Sequence, residues 1–344
     1  GRARIYAAMK LFLFTLFGSL FMLLAILGLY FLHGAQSGVY SFSLAALQNT
    51  AIPTGLAPWL YSAFLLSFAI KAPLVPVHTW LPDAHAEAPA DGSLDVAGLL
   101  GKVGVFGLLR IAFPLFPETS RASFPFLAVL AFLGIFYSAW IAYAQQDIKR
   151  VVAYSSVAHV GFIVLGLCAW DTIAVEGSVL QLLNAGLTTP ALFLMVGMVQ
   201  GRLRTRQIDE LGGLWARAPV LSAFFLFFSL AALGLPGLNN FAGEILILIG
   251  TFRSHPLWGA LAMAGMVFAA AYVLRLVQGV LWGPSSGSEP ISDMSLSEGL
   301  VLVPMAIIVL WFGLYPEPIL ARLHEPVHLL LAGTPFALLK GGLP

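Results

Sequence analysis

Apolar stretches long enough to cross a lipid bilayer recur along almost the whole chain, separated by short polar loops. A membrane-spanning helix needs about 20 predominantly apolar residues. Nine segments meet this requirement: about 5–33, 54–86, 93–116, 122–145, 150–170, 174–200, 218–253, 256–283 and 296–316. Only 10% of the 344 residues are charged, whereas an ordinary soluble domain carries roughly a quarter. The sequence therefore predicts an all-α polytopic membrane protein and excludes a soluble fold.

Charge and cysteine content argue against several other partners and sites. A formal net charge of +1 is too small to indicate nucleic-acid binding. Cys168 is the single cysteine, so it cannot form an internal disulfide. The sequence has no cysteine cluster for iron and sulfur, no paired histidines spaced for haem or zinc, and no phosphate-binding glycine loop. We expect no cofactor and no metal in this chain, and no electron transfer by this chain alone.

The distribution of Lys and Arg predicts the orientation of the spans, because cytoplasmic loops carry an excess of basic residues. With alternate crossings, one side receives the following basic residues: Arg2, Arg4, Lys149, Arg150, Arg202, Arg204 and Arg206. The opposite loops carry only Arg121 and Arg253. The first side is predicted to be cytoplasmic, and this consistent asymmetry supports the count of nine spans.

The second and seventh spans are too long and are interrupted. The second contains Lys71, Pro73 and Pro76, and prolines remove backbone donors and clash with the preceding turn. The seventh is interrupted at 234–240 by two glycines, a proline and two asparagines. Because the two breaks lie five spans apart, an odd number, the second unit enters the membrane upside down. Corresponding broken helices in two inverted halves are typical of transporters with ion sites near the midplane.

This inverted repeat of five-helix units divides the chain into three parts. We expect 1–116 to hold the end of the first repeat, 122–283 the second repeat, and 284–344 the last span and a C-terminal tail. The tail contains Pro316, Pro318, Pro326 and Pro335, so it is predicted to be an interfacial amphipathic segment.

Two of the five lysines, Lys71 and Lys102, lie in the middle of predicted spans. A lysine at the bilayer centre costs roughly 3 kcal/mol. Such a lysine can also extend to the interface, but both positions are about two turns or more from their helix ends. We therefore interpret Lys71 and Lys102 as proton-carrying groups.

Glu244 follows directly after the second break, with no basic residue within eight positions on either side. The alternative to proton carrying is a structural pair with a neighbouring helix. His159 lies in the middle of the fifth span, and imidazole can pass a proton between its two nitrogens near neutral pH. A hydrogen-bonded core histidine is the alternative there. We predict that both residues translocate protons.

Four further ionisable residues surround the short second half of the broken second span: His78, Asp83, His85 and Glu87. They are possible relay or gate groups. The histidines could instead bond loose backbone, and the carboxylates could cap the short half helix.

The third predicted span places Gly98, Gly101, Gly104 and Gly107 three residues apart. A row of small residues lets another helix approach closely. We therefore predict a tight helix contact there, with room for water beside Lys102 as the alternative.

Four long motifs follow one another along the chain: KAPLVPVHTWLPDAHAEAPADGS, LLGKVGVFGLLR, QDIKRVVAYSSVAHVGF and LPGLNNFAGEILILIG. They closely resemble the antiporter-like subunits of respiratory complex I, and the resemblance extends from residue 1 to about residue 315. Within that superfamily, subunit M typically has glutamate in its second broken helix, where subunits L and N and the Mrp antiporter chains have lysine. Glu244 occupies that position, so the sequence is most similar to the subunit M branch.

The resemblance implies roles for four residues. Lys71 would be the channel lysine of the first half, Lys102 and His159 the central connecting residues, and Glu244 the carboxylate of the exit half. The implied function is proton translocation as a subunit of NADH:quinone oxidoreductase. Redox chemistry in partner subunits, which would hold NAD, FMN, iron–sulfur clusters and quinone, would drive it.

The resemblance also implies partners and location. The expected partners are other membrane subunits of complex I, including subunits L and N, and the lipid bilayer. The expected location is an energy-transducing membrane, the cytoplasmic (inner) membrane of a bacterium.

Two departures from the family pattern stand out. The family has a glutamate on a helix before the first span, and nothing here matches it. Residues 1–10 lead into a full-length span without a cleavage site, so we expect no signal peptide and a sequence that begins inside a longer protein. Ala185 stands where the family often has histidine, and water or Asn184 would have to bridge that point.

Two other functions are compatible with the sequence. A Mrp-type cation/proton antiporter subunit or a membrane-bound hydrogenase arm would share the fold, and sodium-dependent transport would favour it. A non-conducting membrane scaffold belongs to another class, and normal pumping after replacement of Lys71 or Glu244 would favour it.

Overall fold

The computed structural model describes residues 3–89, 92, 98, 100–284 and 291–332. Its helices, numbered in chain order, are α1 (Arg4–Ser37), α2 (Leu44–Gln48), α3 (Ala57–Lys71), α4 (Trp80–Glu87), α5 (Gly101–Gly107), α6 (Pro117–Ala122), α7 (Phe124–Ala144), α8 (Ile148–Cys168), α9 (Thr172–Leu203), α10 (Ile208–Leu211), α11 (Leu214–Arg217), α12 (Pro219–Leu233), α13 (Asn239–Ser254), α14 (Pro256–Val277), α15 (Leu296–Leu314) and α16 (Glu317–Leu331). Two π-helical turns, Leu108–Ala112 and Gln278–Trp282, extend α5 and α14, and a single α-helical turn, Phe113–Leu115, follows the first of them.

Six helices in the described part of the chain are long and apolar enough to cross a membrane: α1, α7, α8, α9, α14 with its π-helical extension, and α15. They correspond to six of the nine predicted spans. The other three are the two broken spans, α3 with α4 and α12 with α13, and the third span, whose residues 93–97 and 99 lie outside the described residues. The prediction of an all-α membrane protein with two broken helices is confirmed.

The fifth span, α8, forms the centre of the bundle. Almost all of its apolar stretch, 94%, is buried inside the protein, whereas only 11% of the corresponding stretches of α1 and α15 is buried. It packs against α4, α7, α9 and α13. His159 on this helix is therefore surrounded by protein, while α1 and α15 present apolar side chains outward, as suits contact with lipid.

The basic loops gather at one end of the bundle, as the orientation prediction requires. Arg150 pairs with Asp83 at 3.1 Å, and Arg206 pairs with Asp147 at 3.1 Å. Lys149, predicted to lie in a loop, instead lies in the first turn of α8. It is buried, and its Nζ donates to the carbonyl of Ala88. This contact joins the start of α8 to the end of α4.

The two breaks have different local chemistry. In the first, the Trp80 indole N–H donates to the Ile70 carbonyl at 2.8 Å and thereby holds α4 against the end of α3. In the second, α12 ends at Gly234 with φ of +80°, and Gly237 follows with φ of +92°. Glycine adopts this left-handed conformation without the steric penalty that other residues incur. The second interruption thus follows from the glycines that predicted it.

The predicted close contact of the glycine row is confirmed at Gly104 and Gly107. A Cβ atom on Gly104 would lie closer than 3.0 Å to backbone atoms of Phe68 and Ala72, at the end of α3. A Cβ on Gly107 would meet the Phe68 ring in the same way. The row therefore presses α5 against the helix that carries Lys71.

The tail forms the amphipathic helix α16. Its apolar side chains, among them Val327 and Leu330, are buried against the bundle, and the helix packs on α9. Arg121 also fixes the helix, because its guanidinium donates to the Leu331 carbonyl at 2.6 Å.

Replacing Gly104 with alanine should destabilise the protein by about 1–3 kcal/mol, because the methyl group overpacks the contact between α5 and α3. Gly201 on α9 is a matched control. It is exposed, a Cβ there meets no atom within 4 Å, and alanine favours a helix over glycine by up to ~1 kcal/mol. Thermal unfolding of the purified full-length protein measures both changes. Equal unfolding midpoints for the two variants would contradict the close contact.

Candidate functional site

Glu244 lies in the second turn of α13, directly after the second break, and only 2% of its surface is exposed. The helix runs against α9 along a seam of glycines. A Cβ on Gly177, Gly243 or Gly250 would lie closer than 3.0 Å to an atom of the facing helix. This close approach places Glu244 beside α9 without any intervening side chain.

The carboxylate of Glu244 meets two side chains from other helices. His159 Nδ1 lies 3.0 Å from Glu244 Oε1, and Gln181 Nε2 donates to the same oxygen at 3.0 Å. Both partners are buried. The structure thus brings together two predicted site residues that are 85 positions apart in sequence.

The second carboxylate oxygen of Glu244 points toward the break. A Cβ on Gly234 would lie 2.7 Å from Oε2, so glycine at this position provides both the left-handed turn and the space for the carboxylate. On the other side of the pair, His159 Nε2 is buried and has no hydrogen-bond partner among the described residues. One ring nitrogen thus contacts the carboxylate, while the other is available to receive or release a proton.

Amide and hydroxyl groups hold the start of α13 against α9. Asn184 Nδ2 donates to the Asn239 carbonyl at 2.6 Å, and Asn239 Nδ2 donates to Thr188 Oγ1 at 2.9 Å. Asn184 was proposed to bridge the position of Ala185, but its amide N–H group instead fixes the backbone at the break. Its Oδ1 is buried and has no partner among the described residues, so a water bridge from that atom stays a prediction.

Gln181 was missed in the sequence. Gln181, Asn184 and Thr188 recur at spacings of three and four in an otherwise apolar span, which places them on one helix face. That polar stripe was the available signal. The structure shows that this face of α9 meets the second broken helix.

The two lysines lie apart from the pair of His159 and Glu244. Lys102 on α5 is buried, with 8% of its surface exposed. Lys71 is the last residue of α3, is half-buried, and forms no hydrogen bond or ion pair with any described residue. Within the described residues, Glu244 bonds only His159 and Gln181, so neither lysine contacts it. Within the described residues, direct contacts therefore do not join all four predicted proton-translocating residues, and their shared role stays a prediction.

The two carboxylates proposed as gates lie at the basic end of the bundle. Asp83 forms ion pairs with Lys10 at 2.7 Å and Arg150 at 3.1 Å. Glu87 Oε2 accepts a hydrogen bond from the Ala3 backbone at 3.0 Å. Asp83 therefore links three helices, α1, α4 and α8, and its role as a gate stays a prediction.

The two histidines of the same segment are buried among aromatic rings. His78 lies edge-on to the ring of Tyr137, with centroids 5.6 Å apart, and near Tyr154. His85 stacks on Phe193 at 4.4 Å. Neither ring lies in the site of Glu244, and their participation in a relay stays a prediction.

The family model described as NADH:quinone oxidoreductase/Mrp antiporter, TM, matches residues 2–269. The match covers both breaks, Lys71 and Lys102, and the pair of His159 and Glu244. The chain belongs to this family. Within it, the chain is 45% identical over 327 residues to NADH-quinone oxidoreductase subunit M of Pseudomonas aeruginosa. The alignment covers 95% of the chain and 64% of that relative, so the chain spans about two thirds of the relative's length.

Two solved structures share the fold of this chain. A chain of respiratory complex I from Thermus thermophilus with bound NADH superimposes with a TM-score of 0.90 at 34% identity, covering 97% of this chain and 70% of that one. A chain of the Mrp complex from a Dietzia species gives a TM-score of 0.82 at 19% identity, covering 95% and 70%. The second likeness concerns the fold alone.

Replacing Gly234 with alanine should disturb Glu244, whereas the same change at Gly237 should not. Both glycines have positive φ, so both variants should lose about 1–2 kcal/mol of stability from backbone strain. Only at Gly234 does the new Cβ clash with the carboxylate, because at Gly237 the nearest atom is Leu314 Cδ2 at 3.8 Å. Infrared difference spectroscopy can follow the carboxyl band of Glu244, assigned with Glu244→Gln. A band that is unchanged in Gly234→Ala would contradict this geometry.

Proposed function

We propose that this chain is a proton-translocating subunit, of the subunit M type, of an NADH:quinone oxidoreductase. The observation that carries the proposal is the buried pair of His159 and Glu244 beside the second broken helix. Ionisable groups inside a membrane are costly and typically mark ion pathways. The likeness to subunit M of Pseudomonas aeruginosa supports the same assignment.

In the proposed pathway, protons pass through half-channels connected by Lys71, Lys102, His159 and Glu244. Because the lysines and the pair are not in contact, ordered water must connect them, and such water binds where buried polar atoms lack protein partners. The Nε2 atom of His159 and the Oδ1 atom of Asn184 are atoms of this kind.

The contact between His159 and Glu244 is the step that the geometry describes most directly. A proton reaching the imidazole moves from Nδ1 to Oε1 across 3.0 Å, which leaves a neutral ring and a neutral carboxylic acid. Gln181 keeps Oε1 in place during this transfer, because its amide donates to that oxygen in either protonation state. The outward release of the proton restores the carboxylate.

The driving force in this proposal is electrostatic. A change of charge at one end of the row alters the affinity of the next group for a proton, and one pKa unit corresponds to about 1.4 kcal/mol. In a poorly hydrated interior, charges interact more strongly than in water. Small rearrangements at Lys71 can therefore change the protonation of groups farther along the row.

The remaining parts of the proposal concern the assembly. Redox chemistry would take place in partner subunits that hold NAD, FMN, iron–sulfur clusters and quinone, and this chain would be an enzyme only as part of that translocase. Subunits L and N are the proposed neighbours, and a bacterial cytoplasmic membrane is the proposed location. Segment 1–116 would be the end of the first repeat, 122–283 the second, inverted repeat, and 284–344 the last span and tail.

Replacing Glu244 with glutamine should abolish proton pumping while preserving assembly. Glutamine keeps the shape of the side chain but cannot carry a proton, and removal of a positioned proton-transfer group typically costs 10²–10⁴-fold in rate. NADH-driven acidification of vesicles containing the full complex measures pumping, and electron transfer to an artificial acceptor checks its integrity. Glu118→Gln, at an exposed position, is the control and should pump normally. Unchanged pumping in Glu244→Gln would make the carboxylate structural.

The same vesicles separate this proposal from a Mrp-type antiporter. Proton pumping by the wild-type complex should be equal with and without sodium in the buffer, because the proposed pathway carries protons alone. Transport that requires sodium would favour the antiporter.

A further inference from the structure

A second buried carboxylate lies outside the site described above. Glu176 is in the second turn of α9, and only 9% of its surface is exposed. Its Oε1 lies 2.7 Å from Nδ1 of His324 on the amphipathic helix α16. The His324 side chain is 67% exposed, whereas that of Glu176 is 12% exposed. The pair therefore connects the interior of the bundle to its surface.

The pair lies at the end of the bundle opposite to the basic loops. Helix α9 runs from Thr172 to Leu203, and Arg202 at its far end pairs with Glu298 in the basic region. Glu176 is 26 positions away from Arg202, which corresponds to about 39 Å of helix at 1.5 Å per residue. That distance spans the hydrocarbon core of a bilayer, about 30 Å. A proton leaving on the side away from the basic loops would leave near Glu176.

The seam between α9 and α13 relates Glu176 to Glu244. The two helices are antiparallel, with Gln181 facing Gly243 and Gly177 facing Leu246 and Ile247. Glu176 is thus about one turn farther outward than Glu244. The Oγ1 atom of Thr251, two turns beyond Glu244 on the same helix, is buried and has no partner among the described residues. Because Gly250 faces Ala174, this polar atom lies at the outer end of the seam, level with the first turn of α9.

Two other ionisable groups near this end, Asp171 and Arg121, serve structural roles. Asp171 caps α9 by accepting a hydrogen bond from the Ala174 backbone. Arg121 lies over the Trp170 ring and donates to the Leu331 carbonyl. The pair of Glu176 and His324 is different, because one member is buried, the other is exposed, and both can gain and lose a proton.

We propose that Glu176 and His324 form the outlet through which protons from Glu244 leave the protein, an inference that rests on the proposed function. The proton moves from the Glu176 carboxyl group to Nδ1 of His324, leaving a carboxylate and an imidazolium. The imidazolium then gives one proton to the surrounding water and returns to its neutral form. Glu176 is reprotonated from the side of Glu244.

The test compares Glu176→Gln, His324→Ala and Arg121→Gln in vesicles containing the full complex. Glutamine at 176 can still hydrogen-bond His324 but cannot carry a proton, so pumping should slow by at least about ten-fold. Pumping by His324→Ala should slow similarly and recover when imidazole is supplied as a soluble proton carrier. Arg121→Gln removes the other anchor of α16 and leaves the pair intact, so pumping should stay normal.

The outcomes distinguish two roles for the pair of Glu176 and His324: proton release, and anchoring of α16 to the bundle. Normal pumping in Glu176→Gln would overturn the proposal, and so would an equal loss in Arg121→Gln, because anchoring of α16 would then explain the effect. A failure of imidazole to restore pumping in His324→Ala would also overturn the role of the histidine.

Glu244→Gln is measured in parallel. Normal pumping in that variant would contradict the proposed function itself, whereas lost pumping there with normal pumping in Glu176→Gln would contradict the outlet alone.

Discussion

The cost of an ionisable group in an apolar interior governs the organisation of this protein. A carboxylate without partners would be strongly destabilising at the depth of Glu244. The structure offsets that cost with a histidine from α8 and a glutamine from α9 that meet on one oxygen. For these partners to reach Glu244, three helices must converge at the break in the second broken span. The central position of α8 and the glycines of α13 and α9 both serve this convergence.

The two halves of the described chain differ in what surrounds their ionisable residues. Around Glu244 the partners are side chains in direct contact. Around Lys71 the structure describes tight packing, with Gly104 against the end of α3, but no bonded partner. The described contacts at the end of α3 are therefore packing contacts, whereas those around Glu244 are hydrogen bonds.

The sequence predicted the features that depend on the cost of placing a charged residue in a lipid bilayer and on the bias of basic residues toward one side. Lysines in mid-span, a glutamate after a glycine-proline break, and basic residues concentrated in alternate loops each have a cost or a bias readable from residue type and position. The pairing of His159 with Glu244 could not be derived, because helix packing brings together residues far apart in the chain. Gln181 was missed because a neutral amide carries no comparable cost. Glu176 was missed because it lies near the predicted start of its span, where a charge can reach the interface.

The glycine seam between α9 and α13 constrains how this protein can switch. At three positions even a methyl group would not fit between the helices. Hydrogen bonds of Asn239 also join the same two helices at the break. Sliding one helix along the other would force backbone atoms together and break these bonds. The surroundings of Glu244 are therefore mechanically stiff, and in the proposed proton pathway the moving parts are protons, water molecules and side-chain rotamers. In this respect the second half of the protein is a rigid scaffold for proton transfer and does not have to change its helix packing.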